Sequence, residues 1–160
     1  MIVIRTEIEM DAPIELCFDY ARDIDIHTRT VWKHTKERAI EGRTSGMIEA
    51  GELVTFEATH FLIRQRLTSK VTAYERPIYF VDEMVSGAFK SLKHSRTFTA
   101  SSTGTVMRDE LALEAPFGIV GHVAERLILK YYMTRFLNDR NRKLKLMVEE
   151  SYQALGSCAR

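Results

Sequence analysis

Along residues 2–10 the chain alternates strictly. Ile2, Ile4, Thr6, Ile8 and Met10 fall on one side, and Arg5, Glu7 and Glu9 on the other. A period of two is that of a strand buried on one face. The run Asp11-Ala12-Pro13 then signals a helix start, with Pro13 suited to the first turn. Leu16, Cys17, Tyr20 and Ala21 recur at helical spacing, and a second short helix is predicted from Ile24 to Val31, before Trp32. From there the period returns to two. Strands are predicted near 35–42, 52–61, 63–74, 78–86, 91–100 and 105–114, separated by turn-like stretches such as Glu75-Arg76-Pro77, Gly87 and Ser101-Ser102-Thr103-Gly104. Strands in unbroken series pair with their neighbours as antiparallel hairpins. Pro116 and Gly118 end the last strand, and a helical pattern runs from about Ile119 to Leu155, with an interruption allowed near Leu129. Its second part carries Met133, Phe136, Leu137, Leu144, Met147 and Val148 at three- and four-residue steps. Arg140 and Asn141 interrupt that stripe, which argues against a coiled coil.

One strand puts chemistry on its apolar side. In Lys93-His94-Ser95-Arg96-Thr97-Phe98-Thr99, His94 and Arg96 share a face with Leu92, Phe98 and Ala100. A turn around Ser102-Thr103 sets Phe98 opposite Met107, Arg96 opposite Asp109 and His94 opposite Leu111. Both strands then send their apolar residues to the same side, and each carries one charge of opposite sign there; a shift of one residue would destroy that agreement. An Arg96–Asp109 pairing relieves the cost of burying either ion and leaves guanidinium donors for a ligand. The preceding strand offers Asp82 or Glu83, and its phase is open between Ile78, Phe80 and Met84 on one side and Tyr79, Val81 and Val85 on the other. One of these two acids is expected to reach His94. In strand 52–61, Phe56 and His60 are expected to face inward. Met84, Met107, Met133 and Met147 suit an adaptable lining, and Tyr131 or Tyr132 can turn a hydroxyl toward the interior.

Composition narrows the picture little. The chain has 160 residues, 45% hydrophobic and 28% charged, with a formal net charge of +1. That suits one domain with one core and gives no general attraction for nucleic acid or an anionic membrane. The basic run Lys130, Arg135, Arg140, Arg142 and Lys143 reads as a solvated helix face. The two cysteines, Cys17 and Cys158, form no Cys-x-x-Cys pair, so a reducing compartment and the cytoplasm are expected. No signal peptide and no span long enough to cross a bilayer is read from the sequence. His60, His94, Asp82 and Asp109 lie on separate strands without local ligand spacing, so no metal and no cofactor are expected.

The element order of one strand, two short helices, six strands and one long helix resembles the helix-grip fold of the START-like, or SRPBCC, superfamily that includes the Bet v 1-like proteins. The segments "FVDEMVSGAFKSLKHSRTF" (80–98), "GTVMRDELALEAPFG" (104–118), "ERLILKYYMTRFLNDRN" (125–141) and "APIELCFDYARDIDIH" (12–27) resemble the polyketide cyclase/dehydrase-like group. The resemblance implies an α+β fold: a curved seven-stranded antiparallel sheet wrapped around the C-terminal helix, in one domain over 1–155 with a flexible tail at 156–160. It also implies a deep apolar cavity between sheet and helix. The expected lining is Phe56, His60, Asp82, Met84, His94, Arg96, Phe98, Met107, Asp109, Leu111, Leu127 and Tyr131.

Three functions fit that reading. The first is binding of a small hydrophobic molecule such as a lipid, isoprenoid or polyketide-like compound, by a monomer or homodimer that neither crosses a membrane nor binds nucleic acid. The second is an enzyme of cyclisation, dehydration or hydrolysis with His94, Arg96 and Asp109 as candidate catalytic residues, His94 being the acid or base. No Gly-x-Ser-x-Gly nucleophile motif is present. The third is a protein-interaction module.

Overall fold

A computed structural model describes residues 1–115 and 122–158. The strands are β1 (Ile2–Met10), β2 (Arg38–Gly42), β3 (Leu53–His60), β4 (Ile63–Glu75), β5 (Tyr79–Ser86), β6 (Ser91–Ala100) and β7 (Thr105–Glu114). The helices are α1 (Ile14–Arg22), α2 (Ile24–Thr30) and α3 (His122–Cys158), with a short 3-10 turn at Lys33–Thr35. The sheet is antiparallel throughout in the order β1-β7-β6-β5-β4-β3-β2, so the first strand closes against the last. The two small helices leave β1 and return the chain to the far edge, and α3 lies along the concave face. This is the expected α+β helix-grip architecture. α3 runs without the interruption allowed near Leu129. The strand predicted from residue 35 starts later, because the 3-10 turn and Lys36, at φ 48°, occupy its first residues. Pro116, Gly118 and Ile119 lie outside the described residues.

Local chemistry explains the joints. The Asp23 side chain accepts hydrogen bonds from the backbone N–H groups of Asp25 and Ile26, at 2.8 and 3.1 Å, and so caps α2 while breaking it from α1. Gly104 ends the β6–β7 turn where a Cβ would stand 2.1 Å from the Met10 carbonyl oxygen, so only glycine lets that turn close over the end of β1. The core has two main parts. Phe18 of α1 meets Tyr74, Phe80 and Phe98 edge-on, with ring centroids 5.5, 5.3 and 5.2 Å away. At the other end Ile2, Ile4, Leu92, Leu111, Leu113 and Leu137 pack together. Between them, α3 turns Arg140 and Asn141 toward the sheet, both buried. Arg140 therefore leaves the solvated face expected for the basic run: the apolar stripe of Leu137, Leu144 and Val148 carries it inside.

Candidate functional site

Register assembles the site. Across the inner face one row of strand partners is Phe80–Arg96–Asp109 and the next is Asp82–His94–Leu111. The predicted β6–β7 register is the observed one, and Asp82, not Glu83, faces inward. Glu83 instead stands 3.1 Å from Lys93 in a half-exposed pair. The bonding differs from the expectation. Arg96 donates through Nη1 to Asp82 Oδ1 at 2.6 Å and through Nη2 to His94 Nδ1 at 2.8 Å. The acid on His94 is Asp109, whose Oδ1 lies 2.9 Å from Nε2. Arg96 Nε is 3.6 Å from the same oxygen, an ion pair rather than a hydrogen bond. Asn141 Nδ2 donates to Asp109 Oδ2, and Arg96 lies over the Phe80 ring at 4.8 Å.

This arrangement fixes protonation. A guanidinium only donates, so His94 Nδ1 must accept and Nε2 must carry the hydrogen given to Asp109. Burial pushes His94 below its usual range, and the Arg96 charge adds to that. Burial alone would raise Asp109, but His94 and Arg96 outweigh it and hold the carboxyl well below the usual range. Asp82 follows the same logic, with Arg96 overcoming desolvation. Both His94 nitrogens are thus engaged, which leaves neither for acid–base work in this state.

Arg140 is the unusual member. It is 4% exposed, and its Nε is sealed from solvent without an acceptor. No described residue forms a hydrogen bond or ion pair with it. Burial, reinforced by Arg96, lowers its pKa to about 10, while Asp109, Asp82 and Glu37 pull the other way. Asn141 Oδ1 is likewise buried without a donor.

A half-open space of about 60 Å³ lies beside this network. Arg22, Asp23 and His27 roof it; Phe56, Ser69 and Val71 form one wall, and Phe80, Asp82 and Arg96 the other. Among the described residues, none of α3 lines it. This space lies between the sheet and the two short helices, and it is shallow. Of the expected lining, Phe56, Asp82 and Arg96 reach it. Phe98, Met107 and Leu111 are core side chains, and Met84 packs against the second core. His60 instead bonds Tyr132, with Nδ1 2.8 Å from the hydroxyl. Leu127 and Tyr131 point to solvent, because the helix turns its other side to the sheet.

Sequence reading missed His27 and Glu37. His27 Nε2 lies 2.7 Å from Glu37 Oε1, and its ring stacks on Phe56 at 4.6 Å. Burial lowers His27, with Glu37 opposing; burial would raise Glu37, but His27 draws it below its usual range. The signal for Arg140 and Asn141 was visible as the break in the apolar stripe of α3. Nothing in the local pattern marked the His27–Glu37 pair, which a turn and the start of β2 bring together. Among the described residues no three His, Cys, Asp or Glu side chains gather as a metal-ligand set.

No family model and no curated protein matches this sequence. Solved structures do match. TTHA0849 from Thermus thermophilus superposes with a TM-score of 0.73 at 16% identity, covering 93% of this chain and 98% of that one. A START superfamily protein from Mycobacterium smegmatis gives 0.70 at 12% identity, over 92% and 97%. Ara h 8.0201 gives 0.63 at 10% identity, over 91% and 96%. The chain has the START/Bet v 1-like helix-grip fold. At such identities the helix-grip likeness carries architecture and not ligand. Among the described residues no helix is long and apolar enough to cross a membrane.

Proposed function

We propose that this helix-grip chain binds a small, largely apolar molecule whose acceptor oxygen meets Arg96 on the wall of the space and, once the space widens, Arg140, which stands outside the lining but close enough for its charge to act on Arg96 and His27. The observation that carries the reading is the buried guanidinium of Arg140 with no bonded partner among the described residues. A buried charge left unpaired costs several kcal/mol, and a ligand carboxylate, phenolate or carbonyl oxygen removes that cost. The apolar remainder has Phe56, Val71 and Phe80 to lie against. Ligand pockets usually span roughly 300–1,000 Å³, so the space of about 60 Å³ must widen. α1 and α2 cover it, so a displacement of these two helices from the sheet is what would widen it.

The resemblance to the polyketide cyclase/dehydrase-like group supports a second reading as an acid–base enzyme. Its best candidate is His27 rather than His94. Glu37 orients one His27 nitrogen, the other has no hydrogen-bond partner among the described residues, and the ring lines the space.

The test pairs two naphthalene probes: the sulfonated 8-anilinonaphthalene-1-sulfonate and its neutral relative N-phenyl-1-naphthylamine. Folded protein should bind both, the anionic probe more tightly. Arg140→Met should remove that preference while keeping the neutral probe. Protein that ignores both probes and yields no bound small molecule in native mass spectrometry would overturn the proposal.

A further inference from the structure

The β3–β4 hairpin closes with two residues, Phe61 and Leu62, at φ 50° and 65°. Left-handed backbone at both central positions is the usual two-residue hairpin geometry, and it favours Asn-Gly or Asp-Gly. Bulky side chains are strained there. A sequence selected for the fold alone would not place phenylalanine and leucine at this tip. Leu62 is moreover 98% exposed, and Phe61 and Ile63 are each more than half exposed.

The tip does not stand alone. The Phe61 ring lies 4.4 Å from Tyr132 of α3, and beside it the helix exposes Leu127, Ile128 and Tyr131, each also more than half exposed. Six large apolar side chains from two elements thus gather at one end of the molecule, more than scattered surface residues explain. Cations flank them. Residues 126–135 contain Arg126, Lys130 and Arg135 and no acid. Arg135 lies over the Tyr131 ring at 5.9 Å, and no described acid pairs with any of the three. On the hairpin side, Arg38, Arg64 and Arg66 share the single carboxylate of Glu57. The net charge of +1 for the whole chain hides this local excess.

We propose that this end of the molecule docks on an anionic lipid surface, with Leu62 and its neighbours entering the headgroup region and the flanking cations meeting lipid phosphates. Charge decides the occupant. A second copy of the chain docking by the same face would set cation against cation, whereas an anionic bilayer complements both the apolar centre and the basic flanks. The inference goes beyond the ligand reading and stands without it.

Vesicle sedimentation tests it, using phosphatidylcholine alone and phosphatidylcholine with roughly a third phosphatidylglycerol. The protein should sediment with the anionic vesicles only, and less as salt rises from about 0.1 to about 0.5 M. Leu62→Asn suits the left-handed turn, so it should keep or raise the Tm while weakening vesicle binding about tenfold. Ile128→Asp, on a separate element, should also weaken binding, and Arg126→Glu with Lys130→Glu should abolish the preference for anionic lipid. Absence of binding at low salt, or binding that Leu62→Asn and Ile128→Asp leave unchanged, would overturn the proposal. So would a dimer that these substitutions dissociate in a protein that ignores vesicles, since the face would then be a self-interface.

Discussion

Two carboxylates in this protein are ringed by cationic or hydrogen-bonding side chains, one on each face of the sheet. On the inner face, Asp109 of β7 receives His94 and Asn141, with Arg96 close by. On the outer face, Glu57 of β3 receives Arg38 at 2.8 Å, Arg64 at 2.9 Å and Arg66 at 3.0 Å. By count the second cluster has more charge and better geometry. Yet Glu57 is covered only by arginines that themselves stand in solvent, whereas Asp109 is sealed under α3. Water can replace any arginine that leaves Glu57, and nothing can replace His94 or Asn141 at Asp109. The number of ion pairs is thus a poor guide to what each cluster contributes; the solvent behind them decides.

The largest effect should come from Asp109→Ala. It strands Arg96, His94 and Asn141 without their shared acceptor, at a cost of about 3–5 kcal/mol. In a chain of this length that lowers the Tm by about 10 °C, read by thermal unfolding. A drop below about 2 °C would place Asp109 in the same class as Glu57 and erase the contrast.

Arg140→Met comes next and runs the other way. It replaces an unpaired buried charge with an apolar chain of similar length, so the empty protein should gain about 1–3 kcal/mol. The same substitution should cost the anionic probe its affinity. A variant that loses stability instead would show that Arg140 holds the fold through its field on Asp82, Asp109 and Glu37.

Acid should then destabilise the protein in two windows. Burial lowers His27, His60 and His94 from 6.5, so below that pH the unfolded chain takes up protons that the folded one refuses. Stability falls with pH there, by up to about 1.4 kcal/mol per pH unit for each histidine. Asp82, Asp109 and Glu37 are also lowered, so their contribution is complete above the ordinary carboxylate range and is lost as pH falls through their folded values. Melting curves from pH 7.5 downward should show the first loss beginning near 6.5, and His27→Gln should make that slope about a third shallower. A Tm that stays level down to pH 5 would mean these histidines are charged in the fold.

The fold was largely legible because its signals are periodic. Alternation fixed the strands, Pro and Gly marked the turns, and the charge pair at Arg96 and Asp109 pinned one register. The site was legible only where it lies on that sheet. Which acid meets His94 depends on χ angles that no period encodes, so Asp82 and Asp109 exchanged the expected roles. Leu127 and Tyr131 lie off the apolar stripe that helical spacing marks at Met133, Phe136, Leu137, Leu144 and Val148, and it is that stripe which turns to the sheet. The His27–Glu37 pair joins a helix to the start of an edge strand, a tertiary meeting with no sequence mark.

The smallest effect should be at Glu57, and it tests the comparison from the outer side. The three arginines hold its carboxyl at about 2, Arg38 contributing most. Taken alone, that shift suggests a strongly stabilising group. The side chains that cause it are partly or mostly exposed and screened by salt, so water and ions can take the place of each pair. Glu57→Gln should therefore move the Tm by less than about 2 °C at physiological salt, and the shift should vanish in about 1 M salt. It should also leave vesicle binding intact or stronger, because it removes the acid that offsets Arg64 and Arg66 beside the apolar tip. If Glu57→Gln instead unfolds the protein as Asp109→Ala does, β2, β3 and β4 depend on an outer ion cluster as the inner strands depend on theirs, and exposure would not be what separates the two carboxylates.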